Sequence, residues 1–242
     1  MRKYYTRPCN FYYGSYAKKL INKNKAYSLA GRTDIAFDQI EILIKNKKRN
    51  IKSRFFKISE IKKLDNKLAL LIRNDLKKII TKRKKIKNLK FKKPQIMGIL
   101  NITPDSFSDG GLFYNEFKAK KQIKNMIDGG ASIIDIGGES TRPGSKTINE
   151  KKEWKRIESI VTKFKKNFPS IDLSLDTRKS YVMNKGFNYG VDIINDVSGL
   201  RFDKNSFSTI KSRKKSFILH HMQGTPATMQ NKPTYDDVLL DI

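Results

Sequence analysis

Polar side chains follow several short apolar runs of this sequence, each at the point where the run ends. One run ends at Asn101, two others end at Asp176 and Asn195, and Asp135 lies within a fourth. A short apolar run is typical of a buried strand, and the carboxyl ends of parallel strands meet on one side of a sheet or barrel. Carboxylate and amide groups gathered there can donate and accept hydrogen bonds to a polar ligand. The spacing therefore predicts one binding site built from the ends of several strands.

Strands and helices alternate along the chain from residue 95 onward. The apolar runs predict strands at 96–100, 131–136, 171–175, 191–195 and 216–219. Apolar residues at helical spacing predict helices at 115–128, 148–167, 178–188 and 203–212, and a last helix after Pro233. Such alternation gives either a doubly wound sheet or an eight-stranded barrel. Polar residues at every strand end favour the barrel, so the predicted fold is α/β, an incomplete TIM-type (β/α)8 barrel of about five βα units.

The first 94 residues differ from the rest in charge. They hold 29 Lys and Arg residues against 6 Asp and Glu residues, a net charge of +23, whereas residues 95–242 carry only +6 of the total of +29. Residues 34–46 are half alternating and are typical of a strand, and the spacing of apolar residues predicts a long helix at about 58–85. Pro94 marks the boundary. We therefore expect two parts, a basic N-terminal α or α+β extension (1–94) and the barrel part (95–242).

Composition excludes several classes of protein. No window of 18 consecutive apolar residues is present, so a membrane span is not expected, and the N-terminus lacks the apolar core of a secretory signal. The single cysteine, Cys9, cannot form an internal disulfide. A cytoplasmic location is therefore the default expectation.

Aromatic and basic residues are mixed within residues 1–33. Such a mixture can bind single-stranded nucleic acid by stacking and phosphate contacts. Because no nucleic-acid-binding motif accompanies it, and the excess of lysine is typical of coding bias, we expect the rings to pack against a neighbouring domain and no nucleic-acid partner. A non-enzymatic nucleic-acid-binding protein acting through residues 1–94 is kept as the more distant alternative.

Five segments of the sequence resemble the dihydropteroate synthase family, motif for motif and in the same order. They are residues 101–111 (NITPDSFSDGG), 135–144 (DIGGESTRPG), 175–177 (LDT), 194–199 (INDVSG) and 221–226 (HMQGTP). The resemblance covers about residues 95–240. It implies a TIM-barrel enzyme of folate synthesis that joins (7,8-dihydropterin-6-yl)methyl diphosphate to 4-aminobenzoate, releases diphosphate and uses Mg²⁺.

The resemblance also implies roles for individual side chains. An amide oxygen would ligate Mg²⁺, a hydroxyl would donate to diphosphate, and a carboxylate with an amide would hold the pterin edge. No nucleophile is required, so catalysis would come from orientation and from stabilisation of charge. The residues at these positions are Asn101 for the metal, Thr141, Asp176 and Asn195 for the pterin and its diphosphate, and Phe107, Arg142 and Pro143 for the loops around aminobenzoate.

Two features depart from the family pattern. His220 stands where the family usually has an apolar residue, often Met, whereas His221 matches the usual His. The late-strand motifs do not follow His221, so we expect a C-terminally truncated synthase with little or no activity alone, and a homodimer when full length. The nearest alternative is a pterin-binding, methyltetrahydrofolate-type methyltransferase domain, which shares the barrel.

Four residues, His220, His221, Asp135 and Glu139, have structural expectations attached to them. Neighbouring residues of a strand point to opposite faces, so at most one of the two histidines enters the site. Asp135 lies inside an apolar run, which is typical of a buried hydrogen-bonding residue. We expect Glu139 to be a structural partner of its loop and not a base.

Overall fold

The structure is a computed structural model that describes residues 4–45, 51–63, 66–83, 89, 94–103, 112–140, 145–225 and 228–242. Contacts divide the chain into two compact units, Met1–Lys84 and Lys85–Ile242. No helix among the described residues has both the length and the apolar character that crossing a membrane requires.

The N-terminal unit is a small α+β structure. Its elements are β1 (Tyr4–Tyr13), α1 (Gly14–Asn22), β2 (Tyr27–Ser28), β3 (Ile35–Lys45), β4 (Ile51–Lys57), a 3-10 helix (Ile58–Lys63) and α2 (Asn66–Ile80). All strand pairs are antiparallel, and β3 pairs with each of the other three strands. The strand-like pattern at 34–46 thus corresponds to the central strand of this sheet.

One face of this sheet packs against α2. Ile40 and Ile42 alternate along β3, so they share a face, and both are buried with Ile72 of α2. On the neighbouring strand the Thr6 hydroxyl donates a hydrogen bond to the Asp75 carboxylate of α2 (3.0 Å). The apolar residues at helical spacing in α2 therefore form one stripe that packs against the sheet.

The helix predicted at 58–85 is shorter in the structure. α2 ends at Ile80, and residues 81–83 are not helical. The Ile79 carbonyl accepts a hydrogen bond from the Ala30 N–H (2.8 Å). In a continuing helix the same carbonyl would accept from the N–H four residues later. The predicted end, 84–85, lies outside the described residues.

Two of the aromatic rings in residues 1–33 pack within the N-terminal unit. Phe11 and Tyr27 each meet Phe37 edge-on, with ring centroids 6.2 Å apart. Tyr13 and Tyr16 are exposed, at 66% and 55%. The partner of the two packed rings is therefore a residue of the same sheet.

The C-terminal unit confirms the predicted α/β alternation. Its elements are β5 (Ile96–Asn101), α3 (Leu112–Asp128), β6 (Ala131–Gly137), α4 (Glu150–Asn167), β7 (Asp172–Asp176), α5 (Ser180–Asn188), β8 (Ile193–Asp196), α6 (Ser206–Arg213), β9 (Ser216–Leu219) and α7 (Val238–Asp241). The five strands are parallel and lie in sequence order, β5-β6-β7-β8-β9. A doubly wound sheet reverses its strand order at a switch point, whereas a TIM barrel does not. The five strands therefore have the arrangement of part of a (β/α)8 barrel.

The outer face of the parallel sheet forms the main core. Leu100, Ile136, Leu175 and Ile194 occupy equivalent positions of four adjacent strands. All four are buried in one cluster with residues of α3, α4 and α5. Because successive side chains alternate, the residue that follows each of these four points to the opposite, inner face.

Candidate functional site

Four adjacent strands place their last inward-pointing residues in one row. The strand register pairs Asn101 with Gly137, Gly137 with Asp176, and Asp176 with Asn195. A Cβ atom added to Gly137 would lie 3.2 Å from Asn101 Oδ1 and 3.3 Å from Asp176 Oδ2. The missing side chain at Gly137 thus lets an amide oxygen and a carboxylate oxygen converge above it. We call this set of four residues the strand-end row.

The carboxylate of Asp176 is placed among other acidic groups. Burial, and then repulsion by neighbouring carboxylates, raises its pKa from 3.8 to about 7. Among the residues that the structure describes, none donates a hydrogen bond to this carboxylate. A ligand that donates N–H hydrogen bonds would therefore stabilise the ionised form of this carboxylate. The neighbouring carboxylates belong to Asp135, Glu153, Asp196 and Glu139.

Asn195 is held by two side chains. Its Nδ2 donates to Asp135 Oδ2 (2.9 Å), and its Oδ1 is 3.0 Å from His220 Nε2. Asp135 is only 2% exposed, and burial raises its pKa even though the hydrogen bond from Asn195 opposes this effect. The expectation that Asp135 is a buried hydrogen-bonding residue is confirmed.

The two adjacent histidines have different partners, as the alternation of strand side chains predicts. His220 directly follows β9 and contacts Asn195 of the strand-end row. His221 Nε2 is 2.9 Å from the hydroxyl of Tyr235. Only one of the two therefore reaches the row, and it is the residue that departs from the family pattern.

Glu139 joins the two ends of the loop between β6 and α4. Its Oε1 accepts a hydrogen bond from the Ile148 N–H (2.9 Å), and its Oε2 accepts from Arg178 Nε (3.0 Å). Arg178 Nη2 also donates to the Thr147 hydroxyl (3.0 Å). Burial alone would raise the pKa of Glu139, but these hydrogen bonds and one from Lys179 outweigh it and lower the pKa. Glu139 is thus a structural partner of its loop, as expected.

A buried lysine links this loop base to α4. Lys179 Nζ lies 2.9 Å from Glu139 Oε1 and 2.5 Å from Glu153 Oε2, and all three residues are at most 6% exposed. Lys179 comes three positions after Asp176. The ion pairs therefore connect the turn that follows Asp176 with the base of the β6–α4 loop.

Sequence reasoning missed Lys179, Arg178 and Glu153. Glu153 is 26 positions from Lys179, and Glu139 is 39 positions from Arg178, on different elements. No periodicity within one element shows such a contact. The available signal was two basic residues shortly after a strand end, a pattern that is also typical of an ordinary solvated turn.

Four predicted site residues cannot be placed relative to the row. Phe107, Thr141, Arg142 and Pro143 lie outside the described residues. The structure brings together the other three predicted residues, Asn101, Asp176 and Asn195, because they lie at the carboxyl ends of β5, β7 and β8 and only Gly137 of β6 stands between the first two.

The predicted Mg²⁺ site depends on one protein ligand, the amide oxygen of Asn101. Within the described ranges there is no group of three or more His, Cys, Asp or Glu side chains suited to a metal ion. Asn101 is exposed at the end of β5, and its Oδ1 faces the open position above Gly137 beside Asp176. An amide oxygen next to a carboxylate is a donor set that suits a hard cation such as Mg²⁺, which keeps most of its other ligands as water or substrate oxygens.

Curated proteins named dihydropteroate synthase match about three fifths of this chain. The dihydropteroate synthase of Haemophilus influenzae is 44% identical over 149 residues, which are 62% of this chain and 54% of the relative. That of Synechocystis is 43% identical over 148 residues, 61% of this chain and 51% of the relative. The chain therefore spans about half the length of the curated relatives it matches.

Solved structures agree with this similarity. A dihydropteroate synthase from Clostridium difficile, solved with pteroic acid, matches at a TM-score of 0.55 with 42% identity, over 62% of this chain and 54% of that one. The Xanthomonas albilineans enzyme with 4-aminobenzoic acid matches at a TM-score of 0.55 with 35% identity, over 63% and 53%. Finally, the family model described as pterin binding enzyme matches residues 97–242, more than half of the sequence. Together with a parallel sheet whose polar row lies at the strand ends, this match shows that the chain belongs to the family of pterin-binding enzymes.

Proposed function

We propose that this chain is the pterin-binding part of a dihydropteroate synthase. The proposed reaction joins (7,8-dihydropterin-6-yl)methyl diphosphate to 4-aminobenzoate and releases diphosphate and 7,8-dihydropteroate. The observation that carries the proposal is the strand-end row, in which Asp176 and Asn195 lie side by side beside Asn101. The names of the relatives favour the synthase over a methyltetrahydrofolate-type methyltransferase.

Asp176 and Asn195 are proposed to bind the pterin edge. A pterin carries an exocyclic amino group and a ring N–H next to each other, and one carboxylate can accept from both. The Asp176 carboxylate is costly to ionise in the free protein, with a pKa of about 7. Two donors from the ligand would stabilise its charged form, so part of the binding free energy comes from relief of this electrostatic strain.

Asn101 is proposed to ligate Mg²⁺ through its amide oxygen. When bound, the ion would supply positive charge for the departing diphosphate. Thr141 is proposed to donate to the diphosphate, and Phe107, Arg142 and Pro143 to surround the aminobenzoate, on the basis of the sequence resemblance alone. In this reaction the carbon–oxygen bond to diphosphate breaks, the amine nitrogen then bonds to the methylene carbon, and the proton that the amine loses passes to the released diphosphate or to water. The residues named here therefore act by orientation and not as nucleophiles.

The remaining expectations for the whole protein are also proposals. They are a cytoplasmic location and a homodimer of the full-length enzyme. Because the chain spans about half the length of its relatives, we propose that it binds the pterin but turns over little or no substrate by itself.

A titration with a fluorescent pterin tests the proposal. We expect saturable binding to the 242-residue chain, weakened at least about tenfold by Asp176→Ala, since two charge-assisted hydrogen bonds are removed. Asp128→Asn, at an exposed position at the end of α3, is the matched control and should leave the affinity unchanged. A chain that binds no pterin, or an Asp176→Ala variant that binds as well as wild type, would refute the proposed function.

A further inference from the structure

The amide of Asn195 has only one orientation that satisfies both of its neighbours. The structure places the Asn195 amide nitrogen 2.9 Å from Asp135 Oδ2, and in its ionised form this carboxylate can only accept a hydrogen bond. The amide oxygen then faces His220 Nε2 at 3.0 Å. That ring nitrogen must therefore carry a hydrogen.

A rotation of the amide by 180° would break both contacts. It would place the amide oxygen against the Asp135 carboxylate and the amide nitrogen against the His220 N–H. The first pair has two acceptors and cannot form a hydrogen bond, and the second has two donors unless the His220 proton moves to Nδ1. The Asp135 carboxylate thus selects the rotamer of the amide, and the Nε2–H of His220 adds a second hydrogen bond that holds it.

The position of Asp135 in the sheet indicates that its carboxylate has a role other than packing. Its neighbours in the register are Ile99 on one side and Ser174 on the other, and Ser174 is followed in the same row by Ile193. A carboxylate that is 2% exposed beside such a row is costly to bury. An aliphatic residue would fill the position at lower cost, so the polar partners of Asp135, Ser174 and Asn195, account for an acid there, and Asn195 is the partner that belongs to the strand-end row.

We propose that Asp135 and His220 are positioning residues that hold Asn195 with a fixed order of donor and acceptor toward a ligand at the strand-end row. This inference rests on the proposed function, because the ligand that reads the order is taken to be a pterin. Asn195 then presents its second N–H and its free oxygen lone pair in a set geometry beside Asp176, its register partner. Asp135 and His220 thereby determine which order of donors and acceptors on the edge of a ligand the strand-end row prefers.

The selectivity for two related ligands tests this role. The amino group at position 2 of a pterin has two N–H bonds, one for Asp176 and one for the free lone pair of the Asn195 oxygen. Lumazine has a carbonyl oxygen there, so a donor to Asn195 is exchanged for an acceptor. We expect the wild-type chain to prefer the pterin by at least about tenfold, the difference that one mismatched hydrogen bond makes. Asp135→Asn should bring the ratio of the two dissociation constants several-fold closer to one, because an amide at position 135 permits the rotated Asn195 amide. His220→Leu should move the ratio in the same direction by less, because it removes the second hydrogen bond that holds the Asn195 side chain.

Two further variants separate positioning from structural damage. His220→Gln keeps an N–H donor and should retain the wild-type ratio. His221→Leu removes the adjacent histidine, which contacts Tyr235 and not Asn195, and should also retain it. A merely destabilised protein would lose affinity for both ligands together and leave their ratio unchanged. An unchanged ratio in His220→Leu and Asp135→Asn would therefore overturn the inference.

A measurement without ligand distinguishes failure of this inference from failure of the proposed function. The chain has two histidines, so nitrogen NMR of His221→Leu reports on His220 alone. We expect the tautomer protonated at Nε2, and a shift of that signal in Asn195→Ala. If His220 instead carries its proton at Nδ1, the inference that the Asn195 amide is fixed would be refuted, even if the chain binds pterin. The expected tautomer with no pterin binding would refute the proposed function, and with it the role in selectivity.

Discussion

Replacing Asp176 by Asn should stabilise the C-terminal unit, and the effect should grow with pH. Asn is nearly isosteric with Asp but does not ionise. In the folded protein the pKa of Asp176 is about 7, raised first by burial and then by the nearby carboxylates, against 3.8 for an ordinary aspartate. The folded state therefore binds the Asp176 proton more tightly than the unfolded state does.

The sign and size of the effect follow from proton linkage. Between about pH 4 and pH 7 the unfolded chain has lost this proton while the folded chain retains it, so the free energy of unfolding falls as pH rises. At about 1.4 kcal/mol for each pH unit, Asp176 costs about 2 kcal/mol at pH 5 and about 4 kcal/mol at pH 8. The Asn variant avoids this cost, so its advantage should be near zero at pH 4 and greatest above pH 7.

Urea unfolding followed by tryptophan fluorescence measures this difference. Trp154, the single tryptophan, is buried in α4 of the C-terminal unit, so its emission reports on the unfolding of that unit. Asp128→Asn, at an exposed position, is the matched control and should change the free energy of unfolding by less than about 0.5 kcal/mol at either pH.

Two results would contradict the electrostatic explanation for Asp176. One is an Asn variant that is less stable than wild type at pH 8. The other is a gain that is equal at pH 5 and pH 8, which would point to packing and not to charge. The same variant should bind pterin weakly, because a neutral amide cannot accept from two donors as a carboxylate does. Stability and binding would then change in opposite directions, as is common at functional sites.

Three other substitutions test the surroundings of the site. Gly137→Ala would place a methyl group 3.2–3.3 Å from two side-chain oxygens of the strand-end row, so pterin affinity should fall about tenfold with a loss of stability below about 2 kcal/mol, measured by titration and urea unfolding. Lys179→Met leaves Glu153 buried without its cation and should cost about 3–5 kcal/mol in urea unfolding at pH 8, whereas the double variant Lys179→Met/Glu153→Met should regain at least half of that loss. Asp203→Ala removes the acceptor for the first N–H of α5 (2.8 Å) and should cost about 1 kcal/mol at pH 7. Because hydrogen bonds lower the pKa of Asp203, that cost should shrink as pH falls below about 4, and a cost that is constant with pH would contradict the assignment.

The parallel sheet could be predicted closely because each strand is a short apolar run with a polar residue at its end. The observed bounds of β5 to β9 differ from the predicted ones by at most two residues. β1 was not predicted as a strand. Its residues, from Tyr4 to Tyr13, are aromatic, basic and polar on both faces, and no apolar alternation indicates which face is buried.

The candidate site could be predicted in part for the same reason. Residues that end adjacent parallel strands must be neighbours, which is sufficient to bring Asp176 and Asn195 together. Contacts that cross a strand or join two elements depend on side-chain reach and on sheet twist. Asp135 and Asn195 are 60 positions apart and meet across β7, so no spacing within the sequence indicates that hydrogen bond.

The sequential order of the five strands has a consequence for biosynthesis. Each strand pairs with the one made just before it, so every βα unit can dock as it leaves the ribosome, without waiting for a distant segment. Asn101 and Asp176 can meet over Gly137 as soon as β7 has been added, and Asn195 completes the row one unit later. A nascent chain arrested after β8 should therefore already hold all four residues of the row in place.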